Sequence, residues 1–175
     1  MNKRDYTKLM KLPIPERNKE FQKLTRKEKR VLIAYDLLDQ IKIEKFIPKR
    51  GSYYHIDFDK LITPSCSLQQ ELIPENRVEC AGCGIAGLFH SYIRLANKVK
   101  LKDTGTIKSS NRAYFGPIDI EDLSNSIFPS DFLKKIEDAF EQWDLCEDNI
   151  DFEDPDERLI TICKNIIKNK GDFKL

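Results

Sequence analysis

Cys80-Ala-Gly-Cys83-Gly-Ile-Ala-Gly87-Leu-Phe-His90-Ser-Tyr-Ile-Arg94-Leu-Ala-Asn97 is the stretch on which the reading of this chain turns. Cys80, Cys83, Gly84, Gly87 and Ser91 recur at intervals of three and four, which gathers small side chains on one side of a helix. Ile85, Leu88, Phe89 and Tyr92 supply the bulk of a core. The spacing predicts a buried central helix that another backbone approaches closely. Glycine in a helix interior costs about 1 kcal/mol relative to alanine, so close packing or a ligand must offset it. Gly82 and Gly84 leave backbone N–H groups open at the helix start, an arrangement that suits an anion.

The same residues invite three kinds of chemistry. Cys80-x-x-Cys83 has the spacing of half a zinc site, which Cys66 and His55 would complete. His90 lies seven residues beyond Cys83 and is displaced along a helix axis by roughly 10 Å, too far to share an ion with it. A thiol enzyme would use Cys83 or Cys80 as nucleophile, because a helix N-terminus favours a thiolate, with His55 as base and Asp57 orienting it. Gly82 to Gly87 also matches G-x-G-x-x-G, and Asp103 follows where a ribose-binding acid would lie. Yet Arg77-Val-Glu-Cys80 does not read as a buried strand, and the chain lacks the alternation of a doubly wound sheet, so a dinucleotide fold is not expected. Nor is calcium: a loop counted from Asp144 has Asn149 at its sixth position and Pro155 at its twelfth.

Outward from this centre, residues 1–24 are polar, interrupted by Pro13 and Pro15, and are expected to be an arm that packs through Leu9, Leu12, Ile14 and Phe21. Residues 25–175 form the single globular domain. Thr25-Arg-Lys-Glu28 is a capping box, opening a helix toward Glu44 with Val31, Ala34, Tyr35, Leu38 and Ile41 inward. Tyr53 to Phe58 alternates as a half-buried strand, with Tyr54, Ile56 and Phe58 on one face and Tyr53, His55 and Asp57 on the other. A loop with a short helix at Ser67 to Leu72 follows. Beyond the central helix come a short strand at Val99 to Leu101, the turn Asp103-Thr-Gly105, and an extended stretch to residue 118. Ile118 to Ile127 reads as a short helix. Ser130 caps another, with Phe132, Ile136, Phe140 and Trp143 on its apolar face. Asp154-Pro155-Asp-Glu157 starts the last, with Leu159, Ile162, Cys163 and Ile166 inward and Gly171 at its end.

Composition bounds the class. At 175 residues, with 40% hydrophobic and 34% charged, the chain suffices for one core without disulfide staples. No apolar run reaches the length of a membrane span, and no secretory leader is evident, so the expected location is cytoplasmic. Five cysteines at irregular spacing are expected as free thiols. The net charge of +1 conceals an asymmetry. Residues 1–50 carry 15 Lys and Arg against 7 Asp and Glu, and residues 118–160 carry 3 against 15. Complementary surfaces within the fold, or between copies in a homo-oligomer, account for it. Nucleic acid is not an expected partner, because the basic residues are not interleaved with base-stacking aromatics.

Several blocks taken in order resemble a family of small bacterial and phage proteins. They are the early helix Arg30-Val-Leu-Ile-Ala-Tyr-Asp36, the C-x-x-C segment from Cys80 to Phe89, the late helix Phe132-Leu-Lys-Lys-Ile-Glu-Asp-Ala-Phe140, and the ending from Asp154-Pro-Asp-Glu-Arg-Leu159 to Gly171-Asp-Phe173. The resemblance spans most of residues 26–173 and implies that order of helices. It brings no activity with it.

The expected fold is α+β, a mainly helical single domain with a few short strands around the small-residue helix. The expected function is a non-enzymatic binding protein, a phage or bacterial accessory or anti-defence factor. It would sequester a small anionic or nucleotide ligand, or block a protein partner, through Gly82, Cys83, Gly84, Gly87, His90 and Arg94. No cofactor, metal or membrane partner is expected. The alternatives are the thiol enzyme (Cys83 or Cys80 with His55 and Asp57) and a zinc-stabilised interaction domain (Cys66, Cys80, Cys83 and His55).

Overall fold

The computed structural model describes residues 1–51, 54–58, 78–96, 112–115, 127–141 and 154–174. They form helices α1 (Lys3–Met10), α2 (Ile14–Gln22), α3 (Arg26–Lys42), α4 (Gly84–Ala96), α5 (Ser130–Glu141) and α6 (Pro155–Lys168), and strands β1 (Phe46–Pro48), β2 (Tyr54–Phe58), β3 (Val78–Gly82) and β4 (Arg112–Phe115). The protein is mainly helical α+β, as its sequence predicts.

Local chemistry explains where the long helices start. In α3 the Thr25 hydroxyl accepts from the Glu28 N–H at 3.3 Å while the Glu28 carboxylate accepts from the Thr25 N–H at 2.9 Å. Asp154 caps α6 by accepting from the Asp156 N–H at 2.9 Å, with Pro155 at the first helical position. The prolines interrupt the N-terminal segment, as expected, and they also begin its second helix. Pro13 sits at the cap of α2 and Pro15 within its first turn, where proline lacks no needed hydrogen bond. Residues 1–24 thus form two helices whose Tyr6, Leu9 and Phe21 lie in the same buried cluster as the rest of the core.

The sheet has the order β1-β3-β2-β4, with β1 parallel to β3 and the other pairs antiparallel. β3 corrects the expectation that the residues before the central helix are not a strand. Val-Glu-Cys-Ala-Gly has little strand propensity, and pairing on both sides makes it one. The three-residue β1 is a sheet edge among the described residues, the place where Pro48 is tolerated.

Helix α4 leaves β3 after one intervening residue and packs on α2, α3, α5, β1, β2 and β3, while α3 packs on α1, α4, α6 and β1. The glycines of α4 permit this crowding. A Cβ on Gly84 would stand 3.1 Å from the Phe140 side chain, and one on Gly87 would stand 3.0 Å from Leu37 and 3.1 Å from Phe46. Helix α3 is buried on more sides than its predicted stripe: Leu32, Ile33, Asp36, Leu37 and Gln40 are inward too, and Tyr35 and Leu38 only half-buried.

The C-terminal turn closes onto the start of α3. Gly171 has φ +94°. The Arg30 guanidinium donates to the Ile127 carbonyl at 2.8 Å and the Gly171 carbonyl at 3.1 Å, and it lies over the Phe132 ring. Lys27 pairs with Asp172. The predictions at Ser67 to Leu72, Val99 to Leu101, Asp103 to Gly105, Ile118 to Ser126 and Trp143 lie outside the described residues, as do Cys66 and Cys146.

Candidate functional site

The start of α4 is filled by the protein's own groups. The Cys83 sulfur accepts from the backbone N–H groups of Ala86 and Ile85, the Gly82 carbonyl accepts from the Lys49 N–H at 2.8 Å, and Gly84 is covered by Phe140 and Ile136. Burial pushes the Cys83 thiol up despite those two N–H groups, and Glu141 and Glu137 push it the same way. Two nearby carboxylates and a capped helix start oppose a further anion there. They also oppose the thiolate that nucleophilic attack needs.

The sheet register separates the other thiol from its expected base. Cys80 is level with Phe46 on β1 and Ile56 on β2, whereas His55 is level with Ala81 and Tyr114. Cys80 and His55 therefore stand at adjacent rather than paired register positions of β3 and β2. Cys80 and Phe46 are each 1% exposed, within the core, and Ile47 on the other face is 46% exposed. Cys80, Cys83 and Cys163 are free thiols. Among the described residues no group of three or more His, Cys, Asp or Glu could hold a metal ion. The zinc set cannot be assembled from them, since Cys66 lies outside. Residue-resolved mass spectrometry after brief treatment with a thiol reagent at neutral pH is expected to find Cys80 and Cys163 unlabelled and Cys83 labelled slowly. Rapid labelling of Cys83 would mean an activated thiol after all.

His90 and Arg94, further along α4, enter a different environment. Arg94 Nε donates to Asp36 Oδ2 at 3.0 Å, and the Tyr6 hydroxyl donates to Asp36 Oδ1 at 3.1 Å. Asp36 is fully buried, Arg94 is 4% exposed and Tyr6 is 4% exposed. Burial and the Asp36 carboxylate push the Tyr6 phenol well up, so it is a fixed donor. Arg17 of α2 is buried in electrostatic reach of Arg94, Asp36 and Tyr6. Helices α1, α2, α3 and α4 therefore each contribute one polar side chain to an internal cluster. His90 packs against the Phe46 ring at 5.3 Å between centroids.

The chain matches no family model, no curated protein and no solved structure. What the site can do rests on its own geometry. Of the six residues expected to bind a ligand, Gly82, Cys83, Gly84 and Gly87 gather at the packed start of α4. His90 and Arg94 gather with the buried charges. Tyr6, Arg17 and Asp36 went unread in the sequence. The available signal was an aspartate embedded in the run Val31 to Ile41, where only a partnered carboxylate is tolerated.

His90 gives a pH dependence with a definite sign. Burial, helped by Arg94, holds its imidazole well below its ordinary value, so the folded protein keeps it neutral while the unfolded chain protonates near pH 6.5. The unfolded state then binds the extra proton, and stability falls as pH drops below about 6.5. The slope approaches about 1.4 kcal/mol per pH unit. Glu28, held down by hydrogen bonds from Thr25, and Asp172, held down by Lys27, act in the same direction but only near and below the ordinary carboxylate range. Urea titrations from pH 7 to 5 should show the slope in the wild type and a flatter profile in His90→Gln. An unchanged slope in that variant assigns the effect elsewhere.

Proposed function

We propose that the chain is a non-enzymatic binding protein whose ligand is a small anion, nucleotides included, or whose partner is a protein presenting such a group. The observation that carries this reading is the internal cluster, in which the buried Arg94 bonds Asp36 and a second buried guanidinium, Arg17, lies in electrostatic reach of both. The raised Cys83 thiol weighs against the thiol enzyme. Among the described residues no helix is long and apolar enough to cross a membrane, in keeping with a ligand met in solution.

The setting proposed with this activity is the cytoplasm, and the role an accessory or anti-defence factor of a bacterium or phage. That part rests on the resemblance of the four sequence blocks alone. The uneven charge of the two ends of the chain supports association between copies. Native mass spectrometry of the purified protein tests the reading, since one spectrum reports stoichiometry and any co-purified small molecule. A bare-chain mass, together with no thermal stabilisation by nucleotides, phosphate or small carboxylates, overturns it.

A further inference from the structure

We infer that copies of this chain associate head to tail, the basic end of the α3–α6 helix pair in one copy docking on the acidic end of that pair in the next. This rests on the association between copies proposed above and names the surfaces that meet.

The two helices run in opposite directions and share both ends. At one end Lys27 pairs with Asp172, and Arg30 donates to the Gly171 carbonyl. At the other, Asp156 of α6 lies in electrostatic reach of Glu44, two residues past the end of α3, and α6 packs on β1, which begins at Phe46.

The first end is basic. Helix α3 opens with Arg26, Lys27, Lys29 and Arg30, and the turn after α6 adds Lys170 and Lys174; the carboxylates among them are Glu28, Asp172 and, in reach of Arg30, Asp131. Burial and then Arg26 push the Lys29 ammonium down. The second end is acidic. Glu44, Asp154, Asp156 and Glu157 stand there with Lys42 and Lys45, while Arg158 turns inward to the Phe140 carbonyl. Burial, then Asp154 and Glu44, push the Asp156 carboxyl up. The sequence leading into α6 continues the sign: residues 144–153 hold five Asp and Glu and no Lys or Arg.

In α6 this pattern has a local cause, since acids at a helix start and bases at its end complement the dipole. In α3 it does not. Glu28 and Lys42 follow that rule, but Arg26, Lys27 and Lys29 crowd the positive end and Glu44 follows the negative one. Arg26 also stands three and four residues from Lys29 and Arg30, like charges that repel along a helix. Opposite charges from outside relieve both ends. The chain cannot supply them to itself, because the 17 residues of α3 hold the ends roughly 25 Å apart, beyond the screening length of about 8 Å at physiological ionic strength. A second copy can. Ile43, beside Glu44 and 47% exposed, is an apolar seat for the stems of arriving Lys and Arg side chains. Such a contact joins unlike surfaces, so it builds rings or open chains rather than two-fold dimers.

Sedimentation velocity of the full chain tests this. The wild type should associate in about 20 mM sodium chloride, and at least about tenfold more weakly in about 500 mM, where screening is far shorter. Arg26→Glu with Lys174→Glu reverses the basic end, and Glu44→Lys with Glu157→Lys the acidic one, all at exposed positions. Each double variant alone should be monomeric at low salt. An equimolar mixture of the two should associate again, a result that misfolded chains could not give. A monomeric wild type at low salt overturns the proposal, as does a mixture that stays monomeric. Wild-type association that persists in either variant overturns these surfaces and leaves association between copies to another. The ligand reading stands or falls separately, on the small molecules that native mass spectrometry finds.

Discussion

Asp36→Ala is expected to destabilise the protein by about 3–5 kcal/mol, the cost of breaking a buried ion pair and leaving its partner charged. Asp36 is fully buried and accepts from Tyr6 and from Arg94, so its loss takes the acceptor from a buried phenol and the carboxylate from beside a buried guanidinium. It also removes a negative charge in electrostatic reach of Arg17. The effect should spread to α1, because the hydroxyl of Tyr6 has Asp36 as its acceptor. Urea unfolding measures the loss. Removing both charges, in Asp36→Leu with Arg94→Met, should cost less than Asp36→Ala alone, since a buried pair replaced by apolar groups is often near neutral. A loss below about 1 kcal/mol in Asp36→Ala would show that water, not the core, solvates this cluster.

Gly171→Val is expected to have an effect of similar size for a different reason. With φ +94°, position 171 already disfavours any side chain. A Cβ there would stand 2.3 Å from the Lys27 carbonyl oxygen and 2.8 Å from the Lys27 Cα. Those are backbone atoms of the first turn of α3 and cannot swing aside. Strain and overlap together should cost about 3 kcal/mol or more, lowering Tm by roughly 6–12 °C in a chain of this size. The damage should include the Arg30 contact to the Gly171 carbonyl and the Lys27–Asp172 pair. Gly51, with φ +63° and nothing near its missing Cβ, supplies the comparison: Gly51→Ala should cost about 1 kcal/mol. Equal losses at the two positions would mean that backbone strain alone, not the approach of Lys27, sets the effect.

Elements whose stability is written locally were legible in the sequence. The Thr25–Glu28 box, the Asp154-Pro155 start and the three- and four-residue spacing after Cys83 each specify a helix through neighbours in the chain, and α3, α6 and α4 are there. The two short helices before Thr25 were not, because prolines read as interruptions also make good first-turn residues. Strands β1 and β3 were hidden for the opposite reason. β1 is too short at three residues to show a period, β3 lacks a run of strand-forming residues, and each is a strand because of what pairs with it. The site divides along the same line. Glycine spacing announced a close approach, and Phe140, Leu37 and Phe46 are what approaches. The spacing was silent on whether a ligand or the protein's own core fills the gap. Tyr6, Arg17, Asp36 and Arg94 come from four helices, and no local pattern joins residues so far apart.

The closure of the C-terminal turn on α3 has a consequence for how the chain reaches its fold. Arg30 finds its carbonyl partner 141 residues downstream, and Lys27 its carboxylate 145 downstream. Contacts of such separation slow folding, because the loop must be closed before anything rewards it. During synthesis α3 emerges early, rich in apolar side chains, and waits for α6 and the turn beyond before it can be fully covered. Until then the side of α3 that meets α6 stays uncovered on the growing chain, which is the kind of apolar surface that chaperones at the ribosome hold.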